Sequence, residues 1–182
     1  FDMHPHDNME IVSIVLRGKL QHRDNLGNGD VLKPGDVQKM TAGSGIIHSE
    51  FNPSDKEPVH FLQIWIIPNM LDLRPSYEQK AFNRKSMTNR LTLLVSPDGH
   101  NGSLEIHQDA EIWQILLEEN KDTEFAINHS RKIWIQVAEG SVSTNEHLLV
   151  AGDGLAVSDE EDIIHLRGID KLSNIIIFNL RA

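Results

Sequence analysis

His4-Pro5-His6-Asp7-Asn8-Met9-Glu10, answered downstream by Gly45-Ile46-Ile47-His48-Ser49-Glu50, decides how this chain is read. Successive side chains of a strand point to opposite faces, so residues two apart share a face. His4 and His6 then point the same way, and so do His48 and Glu50. Two such strands lying side by side in a barrel bring three imidazoles and one carboxylate to a point. Imidazole suits zinc, copper, iron and nickel, and His plus carboxylate with open positions is the pattern of non-haem iron(II) oxygen chemistry. Each piece alone is modest evidence. Solvated His-x-His pairs are common, and a lone His48 could be a hydrogen-bonded core histidine. Pro5 cannot donate to a sheet ladder, which places its strand at an edge or beside a bulge.

The surrounding sequence separates the two readings. An apolar strand runs from Ile11 to Leu16 and meets Gly18, and Pro34-Gly35-Asp36 precedes the second motif. The first piece resembles one cupin motif: His-x-His, a nearby Glu, a strand, then Gly. Gly45-x-x-His48-x-x-x-Asn52 resembles the other. More closely, His4-Pro5-His6 to Glu10, Ala42-Gly43-Ser44-Gly45-Ile46, His48-Ser49-Glu50, Gln63-Ile64-Trp65 and Tyr77-Glu78-Gln79 resemble the pirin family. The resemblance runs over nearly the whole chain. It implies an all-β bicupin, two cupin (jelly-roll-type) β-barrels in tandem, with one metal site and a quercetin 2,3-dioxygenase-like activity. Pirins carry several strands before the first histidine motif, so the expectation is that this chain lacks the first strands of its barrel.

Composition agrees. The 182 residues suffice for one large domain or two small ones, and 39% are hydrophobic, enough for a packed core. No apolar run approaches the roughly 20 residues of a membrane helix. The opening residues carry a ligand motif rather than a basic and then apolar leader. With no cysteine, disulfides and thiolate ligands are excluded and any metal site is built from nitrogen and oxygen. A cytoplasmic location is expected. The net charge of −10 argues against nucleic acid or an anionic membrane as partner.

The two halves echo each other. Val15-Leu16-Arg17-Gly18 parallels Val137-Ala138-Glu139-Gly140, and Pro34-Gly35-Asp36 parallels Ala151-Gly152-Asp153. Thirteen residues separate Gly35 from His48 and Gly152 from His165. This alignment lays His165 on His48 and Arg167 on Glu50, while counting back from Gly140 lays Ala126 and Asn128 on His4 and His6. A cation beside a single histidine opposes metal binding, so the second barrel is expected to be metal-free. A one-residue slip would bring in His129, but it also turns the side chain to the other face.

The expected domains are an N-terminal metal-binding cupin over 1–82 and a C-terminal cupin without a metal site over 83–182. Short Val/Ile-rich segments between turns such as Asn25 to Asp30 read as barrel strands. Pro68 to Asn89 reads as a linker region, with one helical turn within Pro75 to Phe82. Glu118 to Lys121 and Asp159 to Asp162 read as solvated charge runs.

The expected metal ligands are His4, His6, His48 and Glu50, holding one divalent ion. The ligand set and the resemblance favour Fe(II); Cu, Ni, Mn, Co or Zn would also fit. Glu10 is expected to lie outside the ligand set. The resemblance implies a small aromatic substrate, a flavonol, and dioxygen. The flavonol's 3-hydroxyl would lose its proton, and the ring would open with loss of carbon monoxide. Glu50 is the candidate catalytic base, with the role of a plain ligand as its alternative. Phe51 lies near this strand system, and Phe61, Gln63 and Trp65 share a face that lines a pocket or serves as core. Two further readings stay open: a metal-dependent protein-binding or redox-sensing regulator without significant turnover, and a closed structural zinc site. His22, His60, His100, His107, His129 and His147 show no partner spacing.

Overall fold

The period-two alternation of apolar residues is realised as short strands along nearly the whole chain. The structure, a computed structural model, describes residues 1–128, 130–144, 147–157 and 162–182. These form two compact units: Phe1–Phe82 with Leu104–Gln108, and Asn83–Ser103 with Asp109–Ala182. His129 and residues 159–161 of the acidic run lie outside the described residues. Among the described residues, no helix is long and apolar enough to cross a membrane.

The first unit contains β1 (His4–His6), β2 (Glu10–Arg17), β3 (Leu20–Asp24), β4 (Val31–Leu32), β5 (Asp36–Thr41), β6 (Ile46–Phe51), β7 (His60–Ile66) and β8 (Ser76–Ala81). They make two antiparallel sheets, ordered β1-β6-β3-β4 and β7-β2-β5-β8, the two-sheet jelly roll of a cupin. β1 is an edge strand, which accommodates Pro5. One face of the second sheet carries Ser13, Gln38, Gln63 and Gln79 as a row in direct register. Apolar clusters flank this row: Ile11, Met40, Ala42 and Ile46 on one side, and Val15, Leu20 and Leu32 on the other. The barrel interior is therefore greasy at two levels and polar between them.

Pro75 to Phe82 is neither a helical turn nor a linker. Its residues Ser76–Ala81 pair with β5 from Thr41↔Ser76 to Asp36↔Ala81. Tyr77 and Gln79 alternate with Glu78 and Lys80 in register with Met40 and Gln38, a strand period that the polar composition disguises. Pro75 falls just before the first residue of the strand, where it breaks no ladder bond.

The second unit contains β9 (Thr92–Ser96), β11 (Ala110–Glu118), β12 (Asp122–Ala126), β13 (Arg131–Glu139), β14 (Ser141–Thr144), β15 (His147–Val150), β16 (Gly154–Val157), β17 (Ile163–Gly168) and β18 (Leu172–Arg181). The short β10 (Leu104–Glu105) falls in the segment belonging to the first unit. The sheet β12-β17-β14-β15 repeats the order β1-β6-β3-β4, and β18-β13-β16 repeats β7-β2-β5. The repeat extends to backbone detail. Gly18 and Gly140 hold φ of 73° and 77°, and Gly35 and Gly152 hold 99° and 96°. A Cβ at Gly18 would lie 2.3 Å from the Pro58 carbonyl oxygen, so backbone approach as well as φ demands glycine there.

The ladders correct the sequence alignment of the halves. In the first unit His22 pairs with Glu50 and His4 with His48. In the second, Thr144 pairs with Leu166 and Phe125 with Ile164. Gly18 precedes His22 by the same four residues that separate Gly140 from Thr144. The counterparts of His48 and Glu50 are thus Ile164 and Leu166, and those of His4 and His6 are Phe125 and Ile127. One residue fewer lies between Gly152 and Ile164 than between Gly35 and His48, and one more between Ile127 and Gly140 than between His6 and Gly18. Matching His165 to His48 therefore matched opposite faces of the sheet. Phe125, Ile164 and Leu166 belong to the buried core of the second barrel, with Ile127 packed against it. His165 and Arg167 point outward, where they pair with Glu124 at 3.2 Å and Asp122 at 3.0 Å.

Candidate metal centre

β6 lies between β1 and β3, and this placement assembles the site. Its alternation buries Ile46, His48 and Glu50 and exposes Ile47 and Phe51. On one side His4 is directly opposite His48 and His6 opposite Ile46. On the other, His22 is opposite Glu50 and Asp24 opposite His48. The rings of His4, His6 and His48 have centroids 4.4–4.9 Å apart, and each offers a nitrogen within 4.8 Å of the others. Glu50 joins a different trio, with His48 and His22.

The donor atoms suit a divalent metal. His4 Nδ1–H donates to the Asp2 carbonyl at 2.7 Å, which leaves Nε2 with its lone pair. His6 Nε2 and His48 Nε2 are buried and have no hydrogen-bond partner among the described residues. A buried polar atom without a partner is costly, and two on rings packed edge-on, with centroids 4.9 Å apart, suit a shared electrophile. Burial also disfavours the charged form of the His6 and His48 rings. Burial, reinforced by the nearby His4, lowers the pKa of His6. Burial and the neighbouring His4, His22 and His6 press that of His48 down to about 3. Neutral imidazole is the metal-binding form.

Glu50 is gripped from the opposite sheet. Ser13 Oγ donates to its Oε1 at 3.4 Å and Gln63 Nε2 to its Oε2 at 2.5 Å. Gln63 Oε1 in turn accepts the Trp65 indole N–H at 3.2 Å. The Trp65 ring stands edge-on to His6, with centroids 5.0 Å apart, and is 55% exposed, so it forms a wall open to a ligand. Phe61 instead packs against the Val15–Leu20–Leu32 core. Phe51 points away from the site, beneath the Arg23 guanidinium.

His22 is the residue that the sequence reading missed. It is fully buried, stacks on Tyr77 with centroids 4.7 Å apart, and bonds Asp24 Oδ2 through Nε2 at 3.0 Å. Burial pushes the Asp24 carboxyl up, but hydrogen bonds from His22, Asn28 and Leu26 outweigh it and hold the group below its ordinary value. Burial and the surrounding carboxylates raise Tyr77, whose hydroxyl keeps its proton and donates to Gln79 Oε1. The usable signal was the alternation Leu20-x-His22-x-Asp24, two apart on a strand.

Glu10 sits on the other face of β2 from Ser13. There it accepts from Thr41 at 3.0 Å and contacts His107 at 3.2 Å, so its place is structural and His107 has a partner. His100 pairs with Asp98 on the surface, while His60 and His147 are exposed.

Comparison with known proteins gives concordant results. A family model described as Pirin matches residues 1–66, and one described as Quercetinase C-terminal cupin domain matches residues 93–180. A quercetin 2,3-dioxygenase of Escherichia coli strain K12 is 40% identical over 181 residues, covering 99% of this chain and 76% of the relative. The solved structure of the bacterial pirin YhhW from Escherichia coli, in complex with nickel(II), superimposes with a TM-score of 0.91 at 38% identity, covering 100% of this chain and 76% of that one. A quercetin 2,3-dioxygenase from Acinetobacter baumannii shares the fold, with a TM-score of 0.80 at 21% identity over 98% of this chain and 67% of its own.

Proposed function

The chain belongs to the pirin family, and we propose that it is a metal-dependent dioxygenase that opens flavonols such as quercetin with dioxygen. The observation that carries this reading is the pair of partnerless buried nitrogens on His6 and His48 beside a clamped, buried Glu50. His4, His6 and His48 would hold one divalent ion, proposed to be Fe(II), with Glu50 close enough to share it. Nickel(II) is the ion named with the Escherichia coli pirin structure, and copper, manganese, cobalt or zinc suit the same donors.

When bound, the ion supplies open coordination positions and, as Fe(II), electron transfer to dioxygen. The chain's own residues do the rest. Glu50 Oε takes the proton of the flavonol 3-hydroxyl. Ser13 and Gln63 fix the direction of that carboxylate, so the proton acceptor is already oriented when substrate arrives. Trp65 gives a flat aromatic ligand a surface to lie against, and its bond to Gln63 links that wall to the base.

Glu50→Gln tests the assignment. It should keep the fold and slow bleaching of the quercetin absorbance band by about 10²–10⁴-fold in protein whose metal content has been matched to the parent. Unchanged bleaching at equal metal content would remove Glu50 from this role. A second reading, a metal-dependent protein-binding or redox-sensing regulator, draws on the exposed apolar residues Trp65, Ile67, Met70 and Leu71. Absence of turnover in iron(II)-loaded protein would favour it.

A further inference from the structure

The imidazole–carboxylate pair of His22 and Asp24 has no place in the ligand set, yet it is fully buried behind His48. We infer that His22 is a positioning residue that fixes the ring tautomer of His48, and that Asp24 fixes the tautomer of His22. The inference rests on the reading of His48 as a metal ligand and names what prepares it.

The order of protons along this relay follows from what each atom can accept. Asp24 is surrounded by donors: the backbone N–H of Leu26 at 2.9 Å and of Asn28 at 3.0 Å, and the Asn28 side-chain amide at 2.8 Å. A carboxylate in that setting accepts only, so the proton in its 3.0 Å contact with His22 lies on His22 Nε2. In a neutral imidazole the other nitrogen is then a bare acceptor. His22 Nδ1 lies 3.5 Å from His48 Nδ1, and two bare nitrogens or two N–H groups cannot bond each other. His48 must therefore carry its proton on Nδ1 and donate it to His22. That leaves the lone pair of His48 on Nε2, the buried atom with no partner among the described residues, on a ring packed against those of His4 and His6.

The strands make the relay nearly rigid. Asp24 sits opposite His48 and His22 opposite Glu50 on adjacent β3 and β6, and Tyr77 stacks on His22 at an interplanar angle of 25°. Outer partners of metal-bound histidines orient the ring and raise its basicity, and their loss commonly weakens metal binding by about 10–100-fold. In the second barrel the counterparts of His48 and His22 are Ile164 and Thr144, so the relay and its ligand are absent from that copy together.

The test uses the whole chain and two readouts. Nitrogen-15 NMR of the imidazoles in metal-free protein reports the tautomer, and nickel(II) binding in competition with a chelator reports affinity. His22→Phe keeps the stack on Tyr77 but cannot accept a proton bond. His22→Gln offers a side-chain oxygen in its place. The inference expects parent His48 protonated at Nδ1, a mixed tautomer and about 10–100-fold weaker nickel(II) binding in His22→Phe, and recovery of most of that loss in His22→Gln. It is overturned if parent His48 carries its proton on Nε2, if His22→Phe binds nickel(II) as the parent does, or if folded His22→Gln is as weak as His22→Phe. A His6→Leu control separates the two levels. Undiminished binding in that variant would sink the ligand assignment itself, whereas binding lost there and kept in His22→Phe sinks only the relay.

Discussion

Replacing His6 with leucine should stabilise the metal-free protein while abolishing its response to metal. In the apo state His6 Nε2 is buried with no partner among the described residues. An unsatisfied buried group of this kind costs about 1–3 kcal/mol. Leucine removes the orphaned nitrogen and adds apolar surface beside Trp65, and the second barrel shows that the fold accepts such a change, since Ile127 occupies the matching place. The apo variant should therefore gain about 1–3 kcal/mol over apo parent. Metal acts in the opposite sense on the pair. At a free ion concentration one hundred times its Kd, the parent gains about 2.7 kcal/mol, roughly 5–11 °C in melting temperature for a chain of this size. The variant should show no such rise. The assay is thermal and urea unfolding of both proteins in chelator and in added nickel(II). Lower apo stability in His6→Leu, together with a preserved rise on adding metal, would show that His6 Nε2 is neither an apo-state cost nor a metal ligand.

Three further outcomes are expected. His165→Ala should leave metal content, melting temperature and turnover unchanged, because His165 faces outward with Glu124; loss of metal from this variant, seen by elemental analysis, would overturn the correspondence between the barrels. Gly18→Ala should destabilise by more than about 1 kcal/mol, since φ is 73° and a Cβ would meet the Pro58 carbonyl oxygen at 2.3 Å; a urea midpoint equal to the parent's would contradict this. Glu10 has a pKa raised by burial, only partly offset by Thr41, Lys39 and His107. A carboxyl raised in the folded state contributes stability that is full below its unfolded pKa and is lost as pH rises through the folded one. Glu10→Gln should thus gain on the parent as pH climbs from below the ordinary carboxylate range toward neutrality. A difference in melting temperature that is flat with pH would contradict the sign.

The fold was legible because the jelly roll is written in turn glycines and alternating strands. The pairs Gly18 with Gly140 and Gly35 with Gly152 were visible by spacing, and each pair shares its φ in the structure. The convergence of His4, His6 and His48 follows from parity alone on two neighbouring strands, as β1 and β6 are. Spacing to a turn does not fix parity when one residue is gained or lost between, and that is how His165 stood in for Ile164. β8 was hidden because its inward residues, Tyr77 and Gln79, are amphipathic or polar and give no hydrophobic period. His22 was hidden for a related reason. Its partners Asp24 and His48 come from its own strand and the neighbouring one, and the sequence shows β3 only as a short run between two turns.

The proposed function requires one metal held by the first barrel and used on a flavonol. Its most direct measurement is elemental analysis of purified protein, paired with aerobic bleaching of quercetin on the same iron(II)-reconstituted sample. About one metal ion per chain is expected, with bleaching that disappears in His6→Leu along with the metal. Metal bound without bleaching, or bleaching that persists in metal-free His6→Leu, would contradict it.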